Sequence, residues 1–194
     1  HTAYRRQRQM CIRDSFNGFA IATGFASLVV VAIYPFMKRI TSWPQAVLGL
    51  AFAWGGLMGW AVTFGSLAPP ALLLYAGTVF WTMGYDTIYA IQDFDDDGIA
   101  GIRSTARLFG DSSRLAIGLF YALAVVAIGG AVMTANLGLA AWLGVAAFAA
   151  HLGWQVHKVR LDDKRGAWLL FRANRDAGIL LFAGLFIEAA TSRL

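Results

Sequence analysis

The chain has 194 residues, of which 58% are hydrophobic and 14% charged, with a formal net charge of +5 and a mean hydropathy of +0.59. This balance excludes an ordinary soluble globular domain and makes lipid the natural solvent for most of the sequence. The positive charge is no sign of nucleic-acid binding, because no basic patch is interleaved with aromatic residues on a soluble module.

In chain order, the first segment is "HTAYRRQRQMCIRDS", which holds Arg5, Arg6, Arg8, Arg13 and the single cysteine, Cys11. It has no apolar core of its own and no small-residue cleavage site, so it is not a signal peptide. Residues 1–15 read as a foreign leader of the translated-adaptor kind; a basic surface anchor is the rival reading. Residues 16–194 then form one membrane domain. Six apolar runs follow, near 17–37, 43–64, 70–91, 114–134, 138–157 and 176–191. Each has about the 20 residues that cross a hydrocarbon layer of roughly 30 Å. Each should be a helix, since an unpaired strand in lipid leaves its backbone unsatisfied. The expected fold is therefore all-α, a polytopic membrane helix bundle of about six spans.

The punctuation between runs is specific. Ser42, Pro44 and Gln45 form a capping box at the start of the second run, and Pro69 and Pro70 open the third. Gly55 and Gly59 make a GxxxG pair suited to close helix approach. A short polar helix is predicted near 98–109, closed by Gly110, with Asp111 or Ser112 capping the next span. The connections after the first, third and fifth runs carry Lys38, Arg39, Arg103, Arg107, Arg114, Lys158, Arg160, Lys164, Arg165, Arg172 and Arg175, whereas "GSLAPP" and "TANLG" carry no basic residue. By the positive-inside rule the basic set is cytoplasmic.

The segment "YDTIYAIQDFDDDGIAGIRSTARLFG" sets four aspartates within five residues beside the third run. On a continuous helix Asp86, Asp93 and Asp97 share a narrow stripe flanked by Tyr89 and Ala90, while Asp95 and Asp96 point elsewhere. Asp86 lies inside the apolar run, where an ionised aspartate costs about 2.5–3.5 kcal/mol unless it faces a cavity or a partner. Carboxylates at this spacing suit Mg²⁺, which leaves coordination positions for phosphate oxygens. The plainer alternative is a hydrated acidic loop capping the next helix. Arg103 and Arg107 nearby favour a phosphate site. His151 and His157 do not share a helix face and make a poor metal pair. Asp162 and Asp163 read as solvated partners of Lys164 and Arg165. Trp54, Trp60, Phe80 and Trp81 can line an apolar tunnel or simply pack.

This segment resembles the second aspartate-rich motif of UbiA-type intramembrane prenyltransferases, in particular the 4-hydroxybenzoate polyprenyltransferase branch. "YPFMKRITSWPQAVLGLAFAWGGLMGW" and "FRANRDAGILLFAG" are similar to further segments of that branch, so the resemblance runs over about 16–194. It implies a bundle of nine spans in a bacterial inner membrane, with polyprenyl diphosphate held through Mg²⁺ and 4-hydroxybenzoate as the acceptor. It matches Asp93 and Asp97 to catalytic metal ligands and Asp86 to a third. Arg103, Tyr89 and Lys38 fall at substrate-contacting places, Arg103 where the branch more often has lysine. The family's first motif, of the NDxxDxxxD kind, does not occur here, so the resemblance places the start of this chain near the fourth span and implies little activity in isolation. Acceptors of sister branches, homogentisate, naphthoate or haem, stay open, as does a transporter using Asp86 as an intramembrane relay.

Overall fold

The computed structural model describes residues 17–192, and every described regular element is helical. The expected leader, residues 1–15, and the side chain of Lys38 lie outside the described residues. Six long helices and two short ones follow in order: α1 Gly18–Ile40, α2 Pro44–Phe64, α3 Pro69–Ala90, α4 Phe94–Ile99, α5 Thr105–Phe109, α6 Ser113–Thr134, α7 Leu139–Lys158 and α8 Lys164–Thr191.

The apolar runs set the helices, and local polar groups set their ends. Asn17 caps α1 by accepting from the Ala20 N–H at 2.8 Å, and its amide donates to Ala61 O at 2.8 Å, tying the start of α1 to the end of α2. The predicted capping box at Ser42 does not form. Trp43 holds the N-cap position with no side-chain cap and packs edge-on against Phe109, centroids 5.6 Å apart. Gln45 is buried and accepts from the Thr105 N–H at 3.1 Å. The glutamine thus satisfies an orphan donor of α5's first turn instead of one of its own helix. Thr87 and Thr105 hydroxyls meet at 2.6 Å, so α2, α3 and α5 are stitched together below the aspartate-rich turn.

Two boundaries differ from the sequence expectation. The predicted helix over 98–109 is split into α4 and α5, with Gly101 at φ +66° between them. The final helix begins at Lys164, twelve residues before its apolar run: its first three turns carry Lys164, Arg165 and Arg172 yet bury Ala167, Leu170 and Asn174.

Helix α3 packs on α6, α2 and α8, and α7 packs on α8 and α6; α1 packs on α2. Ile88, Ile117, Phe148 and Leu152 are almost fully buried at the centre. Glycines permit the closest crossings: a Cβ on Gly184 would stand 2.5 Å from Gly144 Cα, and one on Gly77 3.0 Å from Ala124 O. The predicted Gly55/Gly59 pair is not such a contact, since a Cβ at either meets nothing within 4 Å. Four helical stretches, Gly18–Met37, Pro44–Phe64, Thr105–Thr134 and Leu139–Lys158, are long and apolar enough to cross a membrane. Helices α3 and α8 match them in length but carry the polar side chains of the site. Large apolar residues such as Phe25, Leu115, Val126 and Phe182 are exposed on the outside, as a lipid solvent allows.

Candidate active site

Helices α1, α2, α3 and α8 line two adjoining cavities. The first, ≈ 650 Å³, is lined by Phe52, Thr78, Trp81, Tyr85, Arg172 and Asn174 among others. The second, ≈ 610 Å³, is lined by Tyr34, Phe52, Tyr85, Asp86, Tyr89 and Trp168. Phe52, Tyr85 and Phe171 border both, so the two form one groove. Its wall is a ladder of rings. Trp81 meets Tyr85 at 5.8 Å, Tyr85 meets Phe171 at 5.9 Å, and Phe171 meets Tyr89 at 4.9 Å and Trp168 at 5.9 Å. These rings come from positions one turn apart on α3 and on α8, which explains why they stack in register.

A buried polar hub holds this wall. Trp81 donates its indole N–H to Asn174 Oδ1 at 2.8 Å. Asn174 Nδ2 donates to Gln155 Oε1 at 3.0 Å, which also accepts from the Tyr121 hydroxyl at 2.8 Å. Gln155 Nε2 lies 3.1 Å from His151 Nδ1, giving that histidine a core hydrogen bond. Four helices, α3, α6, α7 and α8, contribute, and among the described residues no buried side-chain polar atom lacks a partner. Of the four aromatics singled out in the sequence, Trp81 lines the groove; Trp54 donates to Thr23 O, Trp60 lies against Phe64, and Phe80 packs on the Met83–Phe120 cluster.

Asp86 lines the groove on α3. The helix stops at Ala90, and a turn over 91–93 separates it from α4. Asp93 takes the N-cap position of α4 without a side-chain capping bond. Asp97 sits one turn on, its N–H donating to Asp93 O at 2.7 Å. Both are half-buried, whereas Asp95 and Asp96 are exposed. The continuous stripe through Asp86, Asp93 and Asp97 is therefore interrupted. Among the described residues no three His, Cys, Asp or Glu side chains are grouped to hold one metal ion. A pair suffices for Mg²⁺, which is usually held by one or two carboxylates and completes its shell with water and phosphate oxygens. The all-oxygen donor set of Asp93 and Asp97 fits that ion.

The cations are distributed differently from expectation. Arg103 donates to Ile40 O at 2.9 Å, capping the end of α1 two residues after Lys38. Arg107 donates to Phe94 O at 3.1 Å. Lys164, expected to pair with Asp162 or Asp163, instead meets Asp95 Oδ2 at 2.9 Å. Asp162 pairs with Arg160 at 3.3 Å, and Asp163 accepts from the Gly166 N–H at 2.7 Å to cap α8. The hydrogen bond to Asp95 raises the Lys164 ammonium above the ordinary lysine value; desolvation opposes it, and the fields of Asp95, Asp96 and Asp93 add to the rise. Nothing local in the sequence signals this contact. The loop after α7 brings Lys164 back to the acidic turn.

Fold and site together define a multi-pass helical membrane protein with an aromatic groove leading to an acidic turn. The chain belongs to the UbiA prenyltransferase family, which it matches over residues 15–186. It is 42% identical over 172 residues to the mitochondrial 4-hydroxybenzoate polyprenyltransferase of Rattus norvegicus, covering 88% of this chain and 46% of that protein. It is 40% identical over 174 residues to the 4-hydroxybenzoate octaprenyltransferase of Ectopseudomonas mendocina, covering 90% and 59%. The apo structure of a UbiA homolog from Aeropyrum pernix K1 superposes with a TM-score of 0.75 at 25% identity, covering 90% of this chain and 66% of that one. The chain spans about half the length of the curated relatives it matches.

Proposed function

We propose that this chain forms the second-motif part of a Mg²⁺-dependent prenyltransferase that moves a polyprenyl group from its diphosphate to 4-hydroxybenzoate, on the route to ubiquinone. The observation that carries the reading is the Asp93–Asp97 pair one turn apart on α4, set just past the Tyr89 end of an aromatic groove. The names of the relatives support the donor and acceptor. Bound Mg²⁺ would neutralise the diphosphate as the allylic C–O bond breaks. Asp93 and Asp97 hold that charge in place at the groove end, and Asp86 adds a carboxylate inside the groove. Lys164 supplies fixed positive charge beside the turn, and Arg103 supplies it where its guanidinium meets the end of α1. Trp81, Tyr85 and Tyr89 line the groove, an aromatic surface suited to an isoprenoid and to shielding an allylic cation from water. The acceptor ring attacks through the carbon ortho to its phenol and then loses the proton there. In a bacterial inner membrane, the distribution of basic loops sets the acidic turn on the cytoplasmic side.

The test is Mg²⁺-dependent prenylation of 4-hydroxybenzoate, comparing the chain with a version extended upstream by an aspartate-rich first motif. The extended version should form 3-prenyl-4-hydroxybenzoate only with Mg²⁺. Product formation unaffected by Asp93→Asn and Asp97→Asn overturns the site, and product from homogentisate alone overturns the acceptor.

A further inference from the structure

Away from the groove, on the outer face of α6 and α7, three hollows join end to end. The first, ≈ 230 Å³, lies among Ile91, Asp111, Arg114, Val159, Arg160 and Asp162. The second, ≈ 570 Å³, shares Asp111 and Arg114 with it and continues past Leu115, Gly118 and Val156. The third, ≈ 460 Å³, shares Gly118 and Val156 and continues past Val126, Ala149 and Gly153. The result is one trough with a charged head and an apolar tail.

Its length matches a membrane leaflet. From Arg114 to Val126 along α6 is about 18 Å at 1.5 Å per residue, against roughly 15 Å for half the hydrocarbon core. The glycines that open it do no packing. A Cβ on Gly153 would meet nothing within 4 Å, and one on Gly118 would make only ordinary contact with Val156, unlike Gly144 and Gly184, which two helix backbones fill. The tail is thus kept vacant of protein side chains while its rim, Leu115, Leu119 and Val126, is exposed and apolar.

The head holds two guanidinium groups and two carboxylates. Arg114 forms no hydrogen bond or ion pair with any described residue, and Arg160 is held only by Asp162 at 3.3 Å with both side chains over 70% exposed. A pair that exposed is readily exchanged for another partner. A head with both signs suits a zwitterion better than an anion: the arginines take a phosphate and Asp111 or Asp162 takes an ammonium that donates hydrogen bonds. We propose that this trough binds an ethanolamine phospholipid, with its phosphate at Arg114 and Arg160, its ammonium at Asp111 or Asp162, and one acyl chain along Gly118 and Gly153. A choline headgroup offers no N–H to the carboxylates, and a glycerol headgroup brings no cation to them.

Native mass spectrometry of the purified chain tests this, using equal amounts of dioleoyl phosphatidylethanolamine, phosphatidylcholine and phosphatidylglycerol. Ethanolamine lipid should be retained roughly tenfold over the choline lipid, the effect of one charge-assisted hydrogen bond. Arg114→Gln with Asp111→Asn and Asp162→Asn should bring the ratio close to one. Gly153→Leu should reduce retention of all three while keeping their order. Circular dichroism of each variant controls for folding, and the exposed Asp111→Asn and Asp162→Asn substitutions without the arginine change serve if the combined variant loses helix. Soluble phosphoethanolamine should not compete, because the tail is part of the site. Equal retention of the three lipids, preference for phosphatidylglycerol, unchanged retention in Gly153→Leu, or competition by the headgroup alone would each overturn the proposal.

Discussion

Lys164 and Asp95 meet at 2.9 Å across the acidic turn although they are far apart in the chain. The lysine's folded pKa is raised, so the pair's contribution is complete below the ordinary lysine value of 10.5 and is lost as pH rises through the higher folded value. An NMR titration of the Lys164 ammonium should show a midpoint above that of a free lysine, moving back toward it in Asp95→Asn and at high salt. The same turn separates its aspartates by exposure. Asp93→Asn or Asp97→Asn should lower turnover of the extended enzyme by at least about 10²-fold, because each removes charge that holds the leaving group. Asp95→Asn and Asp96→Asn should cost far less, and steady-state kinetics at saturating Mg²⁺ decides. Arg103→Ala should weaken diphosphate affinity while Arg103→Lys is tolerated, since lysine keeps both the charge and a donor for Ile40 O; equal losses in a binding titration would show that the guanidinium shape is required. The aspartates and Arg103 are visible in sequence because they lie within twenty residues of one another. Lys164 is not, because only the path of the chain after α7 brings it there.

At the scale of elements, apolar run length predicts each long helix, as the lipid requirement for internal backbone bonding demands. It misses the start of α8, where Lys164, Arg165, Arg172 and Arg175 outweigh three buried residues in any hydropathy average. It also mistakes which glycines matter. The spacing of Gly55 and Gly59 is that of a close contact, yet the close crossing is between Gly144 on α7 and Gly184 on α8, a pairing no local pattern encodes. Gly184→Val should destabilise the protein by about 1–3 kcal/mol through overpacking against backbone, whereas Gly55→Val should be near neutral; thermal unfolding in detergent compares them. Gln45 shows the same limit, since its local capping partner loses to a backbone N–H on α5. The hub at Asn174 joins four helices through Trp81, Gln155 and Tyr121. Asn174→Leu should cost about 1–3 kcal/mol by leaving buried donors unpaired. Trp81→Phe, which removes one donor and keeps a smaller aromatic ring, should cost less, and a double-mutant cycle should show the two losses to be non-additive.

For the molecule as a whole, composition alone excludes a soluble domain, and the bundle meets that reading with apolar residues outside and polar groups such as Gln45, Thr87, Gln155 and Asn174 buried between helices. The groove itself is not legible in sequence, because its ring wall comes from α3 and α8, which four other helices separate along the chain. The central claim is that the groove and the acidic turn act together as a Mg²⁺–diphosphate site for an isoprenoid. Calorimetric titration of the purified chain with geranyl diphosphate, with Mg²⁺ and with a chelator, tests it most directly. The account predicts binding that requires Mg²⁺ and falls at least roughly tenfold in Asp93→Asn, the loss of one charged contact. Binding of equal strength in the chelator, or equal in Asp93→Asn and Asp97→Asn, would contradict it.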